Sequence, residues 1–373
     1  MSSRFQLDWC PLSQVDRLQS FIDANWKTGH VLARDRELLL WQHPPVGDSG
    51  RISVLQAQEG DDLRAILGVI PFGFCMFGTE IPGAWLTTWV EVPPRRGLAL
   101  GLLRDSLDGR FGMVGTIGGN QITQSILGRL DFAISDAMPR WIRAVNLPAL
   151  KSLVRDRPEP LSQECWQRLE RGANASAPMP QDDGLRVIDW SEHAAERWDR
   201  AWRERFAKQL VGTWRDSAYL RQRYIDHPRF SYRVRFIEAA DADAISGLVV
   251  TRVEVPRDRE ERVLEVLEFL GEESAYPVMV QETLNQAQVN GVALVDLCST
   301  SLRPSAALEA AGFIRDDPAA DSLPRLFQPL DFRTGGLSGA YWIDPNVSER
   351  GPDLFSDEAL LFTRSDCDQD RPA

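Results

Sequence analysis

Runs of apolar residues and the polar breaks between them lay out the elements of this chain. Val15, Leu18, Phe21 and Ile22 recur at helical spacing, so residues 13–25 read as a short amphipathic helix. An apolar patch at 38–41 stops at His43-Pro44-Pro45, and strand-like runs follow at 52–56, 65–72 and 85–92. Between the last two, GFCMFGTEIPG has the glycine and aromatic content of a hairpin or a substrate-side loop. A glycine-flanked apolar run at 112–117 fits a buried parallel strand, and Gly118-Gly119-Asn120 turns into a helix at 123–130. The second half alternates in the same way. Strands are expected at 185–188, 232–238, 244–253, 263–270 and 292–297, and helices at 192–208, 217–224, 277–288 and 305–311.

The stretch 89–107, WVEVPPRRGLALGLLRDSL, organises the rest. Its strand-forming start runs into Pro93-Pro94, which cannot continue a central ladder. From Gly97 onward, Leu98, Ala99, Leu100, Leu102, Leu103 and Leu107 predict a helix buried on most sides, with Gly97 and Gly101 letting its backbone sit close to a neighbour. A glycine turn that opens a helix aims free amide N–H groups and the positive end of the helix dipole at one point. That is an anion-binding layout. An ordinary strand–turn–helix packing unit shows the same local pattern, so the stretch by itself leaves both readings open.

Composition narrows the partners. The 373 residues suit two domains, and 43% hydrophobic with 26% charged residues is the balance of a soluble globular protein. Lys+Arg of 42 against Asp+Glu of 54 gives a net charge of −12, which disfavours bulk binding to nucleic acid or anionic membranes. A local basic pocket from Arg95, Arg96 and Arg104 remains compatible with that total. No window has the length and apolarity of a signal peptide or a membrane span. The five cysteines (Cys10, Cys75, Cys165, Cys298, Cys367) are scattered, and the four histidines (His30, His43, His193, His227) lack ligand spacing. A cytoplasmic, metal-free protein is expected.

The two halves also match each other. Ile66-Leu67-Gly68-Val69 aligns with Ile245-Ser246-Gly247-Leu248, and Glu91 with Glu268. ILGRLDF (126–132) aligns with ALEAAGF (307–313), and PRWIRAVN (139–146) with PRLFQPLD (324–331). Four pairs in one order predict a duplicated unit. The expected boundaries are 1–147 for one domain, 148–184 for a linker (prolines and GANASAPMPQDDG, with one short helix around Cys165 to Leu169), and 185–373 for a second domain whose end, LFTRSDCDQDRPA, reads as an extended acidic tail. Each unit reads as strands first, then a β-α-β-α-β finish: an α/β (α+β) three-layer sandwich with a mixed, twisted, mostly antiparallel sheet flanked by helices.

In this element order the chain resembles the GCN5-related N-acetyltransferase superfamily, present as a tandem. That superfamily binds the pyrophosphate of acyl-coenzyme A through an [Arg/Gln]-x-x-Gly-x-[Gly/Ala] turn, matched here by Pro94-Arg95-Arg96-Gly97-Leu98-Ala99 and then Gly101. The resemblance implies acetyl-CoA or another acyl-CoA as co-substrate, without a metal. It implies coenzyme contacts from Val90, Val92, Arg95, Arg96, Gly97, Leu98, Ala99, Gly101 and Asn120, with Glu91 as the base that deprotonates an amine. For Asn120, a site role and an αL turn asparagine both stand; for Glu91, a base and an outward-facing strand carboxylate both stand.

Two departures stand out. Pro94 replaces the usual Arg or Gln, and the tyrosine that serves the family as general acid is absent, since the first half holds no tyrosine; either another donor such as Ser125, Ser135 or a water serves, or the first half is not catalytic in the usual way. The second half reads GEESAYP where the turn should be, so that copy is expected to bind no coenzyme. His227 reads as a capping residue or a site residue. The expected activity is acyl transfer to a small amine or amino-sugar acceptor, by association with cell-surface polysaccharide synthesis. A non-catalytic binding or scaffold protein and a Fem-like aminoacyl transferase are the rivals, the latter opposed by the charge of −12.

Overall fold

The computed structural model describes residues 5–94, 97–176, 184–239, 244–316, 323–327, 330–332, 335–356 and 358–370. In chain order the first elements are β1 (Phe5–Pro11), α1 (Val15–Asn25), α2 (Val31–Arg34), α3 (Arg36–Gln42), β2 (Arg51–Glu59), β3 (Asp62–Met76), β4 (Thr79–Glu91), α4 (Leu98–Ser106), β5 (Met113–Ile117), α5 (Gln121–Gly128), β6 (Ala133–Ala137) and β7 (Arg140–Ala144). Then come α6 (Leu147–Leu153), α7 (Gln163–Asn174), β8 (Leu185–Asp189), α8 (Glu192–Ala201), β9 (Val211–Thr213), α9 (Ser217–Leu220), β10 (Arg233–Ala239), β11 (Ile245–Glu254), β12 (Val263–Gly271), α10 (Tyr276–Val289), β13 (Leu294–Cys298) and α11 (Ser305–Ala310). The chain closes with β14 (Ile314–Arg315), β15 (Leu326–Phe327), β16 (Leu330–Asp331), β17 (Ser338–Ile343) and β18 (Leu360–Leu361).

Two compact units result. Unit 1 is Met1–Ser135, Gly339–Asp357 and Asp366–Ala373, and unit 2 is Asp136–Ser338 and Glu358–Ser365. The sheet of unit 1 runs β1-β2-β3-β4-β5-β17-β6, and that of unit 2 runs β8-β10-β11-β12-β13-β7-β14. The two orders correspond strand for strand. Along each order one pair is parallel, β4 with β5 and β12 with β13; the ladders β1–β2, β2–β3, β3–β4 and β5–β17, and likewise β8–β10, β10–β11, β11–β12, β13–β7 and β7–β14, are antiparallel.

In unit 1 alternate residues face opposite ways, and helices cover both faces. Leu55, Ala57, Leu67, Val69, Ala84 and Leu86 pack with Leu102 and Leu103 of α4 and Leu127 of α5. Ile52, Val54 and Ile66 pack instead with Val15, Leu18 and Ile22 of α1 and Leu38 and Leu39 of α3. In unit 2, Val249, Leu264 and Val266 meet Met279 and Leu284 of α10. The mixed three-layer sandwich expected from the sequence is what each unit forms.

The boundaries differ from the expected 1–147, 148–184 and 185–373. β7 pairs with β13 and β14, so its PRWIRAVN strand belongs to unit 2. β17 pairs with β5 in unit 1, and it, rather than PRLFQPLD, is the counterpart of β7. Residues 148–184 are not a bare linker, because α6 and α7 bury Leu150, Leu153, Cys165 and Leu169 against Ile142, Ala144 and Leu294. The described part of the acidic tail is packed into the protein: Phe362 to Asp368 and Asp370 are buried.

Charged groups fill part of unit 2. Arg215 is fully buried, its Nε 2.8 Å from Glu268 Oε2, while Glu268 Oε1 accepts from the Tyr224 hydroxyl at 2.7 Å. His227 lies close by, its Nδ1 accepting from the amides of Arg229 and Phe230, which is the capping role. Burial, and then the charges of Arg223, Arg252 and Arg229, lower its pKa to about 3. The unfolded chain therefore binds a proton at His227 below its ordinary pKa while the folded chain does not, so this contribution to stability is lost as pH falls from about 6.5 towards 3. Urea unfolding at pH 7 and pH 4.5 is expected to show a steeper acid loss for the wild type than for His227→Asn, by about 1.4 kcal/mol per pH unit.

Candidate active site

Strand β4 carries the site. Gly68 pairs with Thr87 and Ile66 with Val90, so Thr88 and Trp89 together oppose Leu67 in a β-bulge. The extra residue reverses the alternation: Ala84 and Leu86 join one core, and Val90 the other. Thr88 has φ of +44°, a left-handed conformation that a β-branched side chain rarely adopts, and its buried hydroxyl has no hydrogen-bond partner among the described residues. In unit 2 the bulge falls at Leu267, between Val266 and Glu268. With the bulges as reference, Glu268 is level with Val90 rather than Glu91, so the expected Glu91–Glu268 equivalence is off by one residue and by one face of the strand.

β4 and β5 pair only at Gly83–Trp85 with Met113–Gly115. Beyond that the strands continue to Glu91 and Ile117 with no ladder between them among the described residues. The C-terminal segment takes backbone acceptors along this gap. The Cys367 thiol lies 3.8 Å from Leu86 O, and Gln369 Nε2 donates to Ile117 O at 3.0 Å. A Cβ on Gly118 would stand 2.8 Å from the Gln369 amide, so that glycine is needed for the close approach.

At the end of β4 the Glu91 carboxylate meets the start of α4. The Leu98 amide donates to Oε1 at 3.2 Å and the Ala99 amide to Oε2 at 3.3 Å. Gly97, at the N-cap with φ of +77°, makes this geometry, and beyond its chain neighbours no atom of the described residues lies within 4 Å of where its Cβ would be. Trp89 Nε1 donates to Ala99 O at 2.8 Å, tying the bulged strand to the first helical turn. This helix end thus binds an anion, and in this state the anion is the chain's own.

The other expected residues fall as follows. Val90 is buried, and the Val92 amide is committed to Arg64 O at 3.0 Å. Gly101 has only an ordinary 3.6 Å contact with Leu7, so the close approach expected there does not occur. Arg95 and Arg96 lie outside the described residues. Arg104 stands near the opposite end of α4, ~9 Å along the axis from Leu98. Asn120 is exposed and caps α5, its Oδ1 accepting from the Thr123 amide at 2.9 Å. Ser135 Oγ is committed to the backbone of Gly339.

No protein-family model and no curated protein matches the sequence. Solved structures match it in shape. A GCN5-related N-acetyltransferase from Anabaena variabilis aligns over 92% of this chain and 73% of its own, with TM-score 0.60 and 11% identity. A probable N-acyltransferase from Enterococcus faecalis aligns over 93% and 73%, with TM-score 0.55 and 10% identity. The N-myristoyltransferase of Saccharomyces cerevisiae, solved with bound myristoyl-CoA, aligns over 91% and 79%, with TM-score 0.51 and 9% identity. The chain has the GCN5-related N-acetyltransferase fold.

On this N-acetyltransferase fold, what sequence reasoning missed comes from far along the chain. Tyr341 of β17 pairs with Gly115 and gives unit 1 a tyrosine that its long first segment, Met1–Ser135, lacks. It is 1% exposed, with ring centroids 5.1 Å from Phe355 and 6.3 Å from Trp85. Unit 2 has no equivalent of the glycine turn: β12 ends at Gly271, Glu272 bonds to Arg205, and a helical turn leads straight into α10. Among the described residues no group of His, Cys, Asp or Glu is placed to hold a metal, and no helix is long and apolar enough to cross a membrane.

Proposed function

We propose that the protein is an acyl-CoA-dependent acyltransferase, moving an acyl group from acetyl-CoA or a longer thioester to a small amine or amino-sugar acceptor in cytoplasmic steps of cell-surface polysaccharide synthesis. The observation that carries this reading is the pair of helix amides, Leu98 and Ala99, already ligating a carboxylate behind the positive-φ Gly97. A diphosphate carries more negative charge than a carboxylate and suits the same helix end better. Coenzyme binding at the turn of Arg95, Arg96, Gly97, Leu98 and Ala99 therefore displaces Glu91. Freed, Glu91 takes the proton from the acceptor nitrogen as that nitrogen attacks the thioester carbonyl, and the thiolate leaves to be protonated as free CoA. Backbone amides at the bulge polarise the carbonyl oxygen.

A second reading, a non-catalytic binding protein on the same fold, is favoured by the chain's own groups along this path: Glu91 on the amides, and Cys367 and Gln369 in the strand gap. Titration with acetyl-CoA, followed by calorimetry and by thiol release against a panel of amines, separates the two. Under the acyltransferase reading Glu91→Gln is expected to bind acetyl-CoA at least as tightly as the wild type, having lost a competing charge, and to turn over about 100-fold slower or less. Absence of both binding and thiol release in the wild type overturns it in favour of the second.

A further inference from the structure

The charged interior of unit 2 borders a cavity of about 60 Å³. β7 starts there at Arg140 and β13 ends there at Cys298; Arg315 at the end of β14, Asp316 after it, Arg325 and Arg364 also line it, beside the apolar Ala137–Pro139, Leu323 and Gly335–Leu337. Among the described residues, four guanidinium groups therefore line this space against one carboxylate.

The counter-charges lie behind the wall. Arg140 is saturated, with Nε and Nη2 on Asp296 at 2.8 and 3.0 Å, Nη1 on Asp316 at 2.8 Å, and further bonds to the carbonyls of Leu323 and Pro324. Arg364, 3% exposed, gives Nη1 to Glu265 at 3.0 Å and Nη2 to Asp296 at 2.9 Å. Arg325 gives Nη2 to Asp331 at 2.8 Å. Asp296, Glu265 and Asp331 form no part of the cavity lining.

What remains is specific. The Nε–H groups of Arg364 and Arg325 are buried and have no hydrogen-bond partner among the described residues. A buried donor on a cation without an acceptor is costly, and native structures answer it with an ion or a water. The space holds more than one water, and a guanidinium edge matches two oxygens of a phosphate or carboxylate better than it matches a water. Gly335, with φ of +101°, has no atom of the described residues beyond its chain neighbours within 4 Å of a Cβ position.

We propose that this cavity binds a small oxyanion, the phosphate or carboxylate group of a metabolite, held by the Nε–H donors of Arg364 and Arg325 with exposed Arg315 at the edge. The site is in unit 2 and does not depend on the acyltransferase reading of unit 1.

The test uses the full chain without acyl-CoA. Sodium phosphate and sodium acetate are titrated separately at ionic strength held constant with sodium chloride, by calorimetry and by the heat-unfolding midpoint. A saturable signal with one anion is expected; which anion saturates identifies the group. Arg325→Gln and Arg315→Gln are each expected to weaken that binding about tenfold or more. Arg325→Gln also loses its partner Asp331, so if it fails to fold, the exposed Arg315→Gln decides. No saturation with either anion, or equal binding by wild type and Arg315→Gln, overturns the proposal and leaves the two donors to water.

Discussion

Replacing Arg215 with alanine is expected to cost unit 2 about 3–5 kcal/mol, the range for removing one partner of a buried ion pair. The reason lies in what Glu268 would keep. Both residues are fully inaccessible, and Arg215 supplies the Nε–H bond to Glu268 and Nη1 bonds to the carbonyls of Thr213 and Leu361. Without it, a carboxylate remains inside the protein without the guanidinium that balances its charge, although the Tyr224 hydroxyl still donates to it, and Thr213 and Leu361 lose a donor. The double change Arg215→Met with Glu268→Leu removes both charges and is expected to recover most of the loss, since apolar replacements of similar volume are often neutral in such sites. Urea unfolding midpoints of the three proteins check this. A double variant as unstable as the single one would mean that the hydrogen bonds around the pair, rather than its charge balance, hold this region.

Gly97→Val has the largest expected effect on binding. The open space around Gly97 means that the side chain meets nothing, so the whole penalty is the left-handed backbone, about 1–2 kcal/mol and more for a β-branched residue. The chain escapes that penalty by moving φ to negative values, which turns the amides of Leu98 and Ala99 away from their shared target. Acetyl-CoA affinity is expected to fall at least tenfold, while the heat-unfolding midpoint drops only by the loss of one capped helix end. Equal affinity in Gly97→Val and wild type would place any coenzyme elsewhere.

The sandwich was legible because alternation within strands and the stripe on α1 are local and strong. The swap of β7 and β17 was not. A central strand such as RWIRA is buried on both faces in either sheet, so its own residues do not say which sheet takes it. The tail's acidic composition gave no sign of its burial: Asp366, Asp368 and Asp370 lie buried. At the site, the glycine turn was readable, whereas the ligation by Glu91 depends on the φ of Gly97 and on the bulge at Thr88. An extra residue in a strand leaves no mark in composition.

The exchange of β7 and β17 sets a schedule for synthesis. β5 gains its antiparallel neighbour only when Gly339–Ile343 has been made, roughly 200 residues after Ile117. At common translation rates the edge of β5 stays unpaired for roughly 10–40 s on the ribosome. During that interval an apolar strand edge is open to pairing with another nascent chain. Unit 1 therefore finishes last although it begins first, and a gene cut at residue 147 yields neither unit whole.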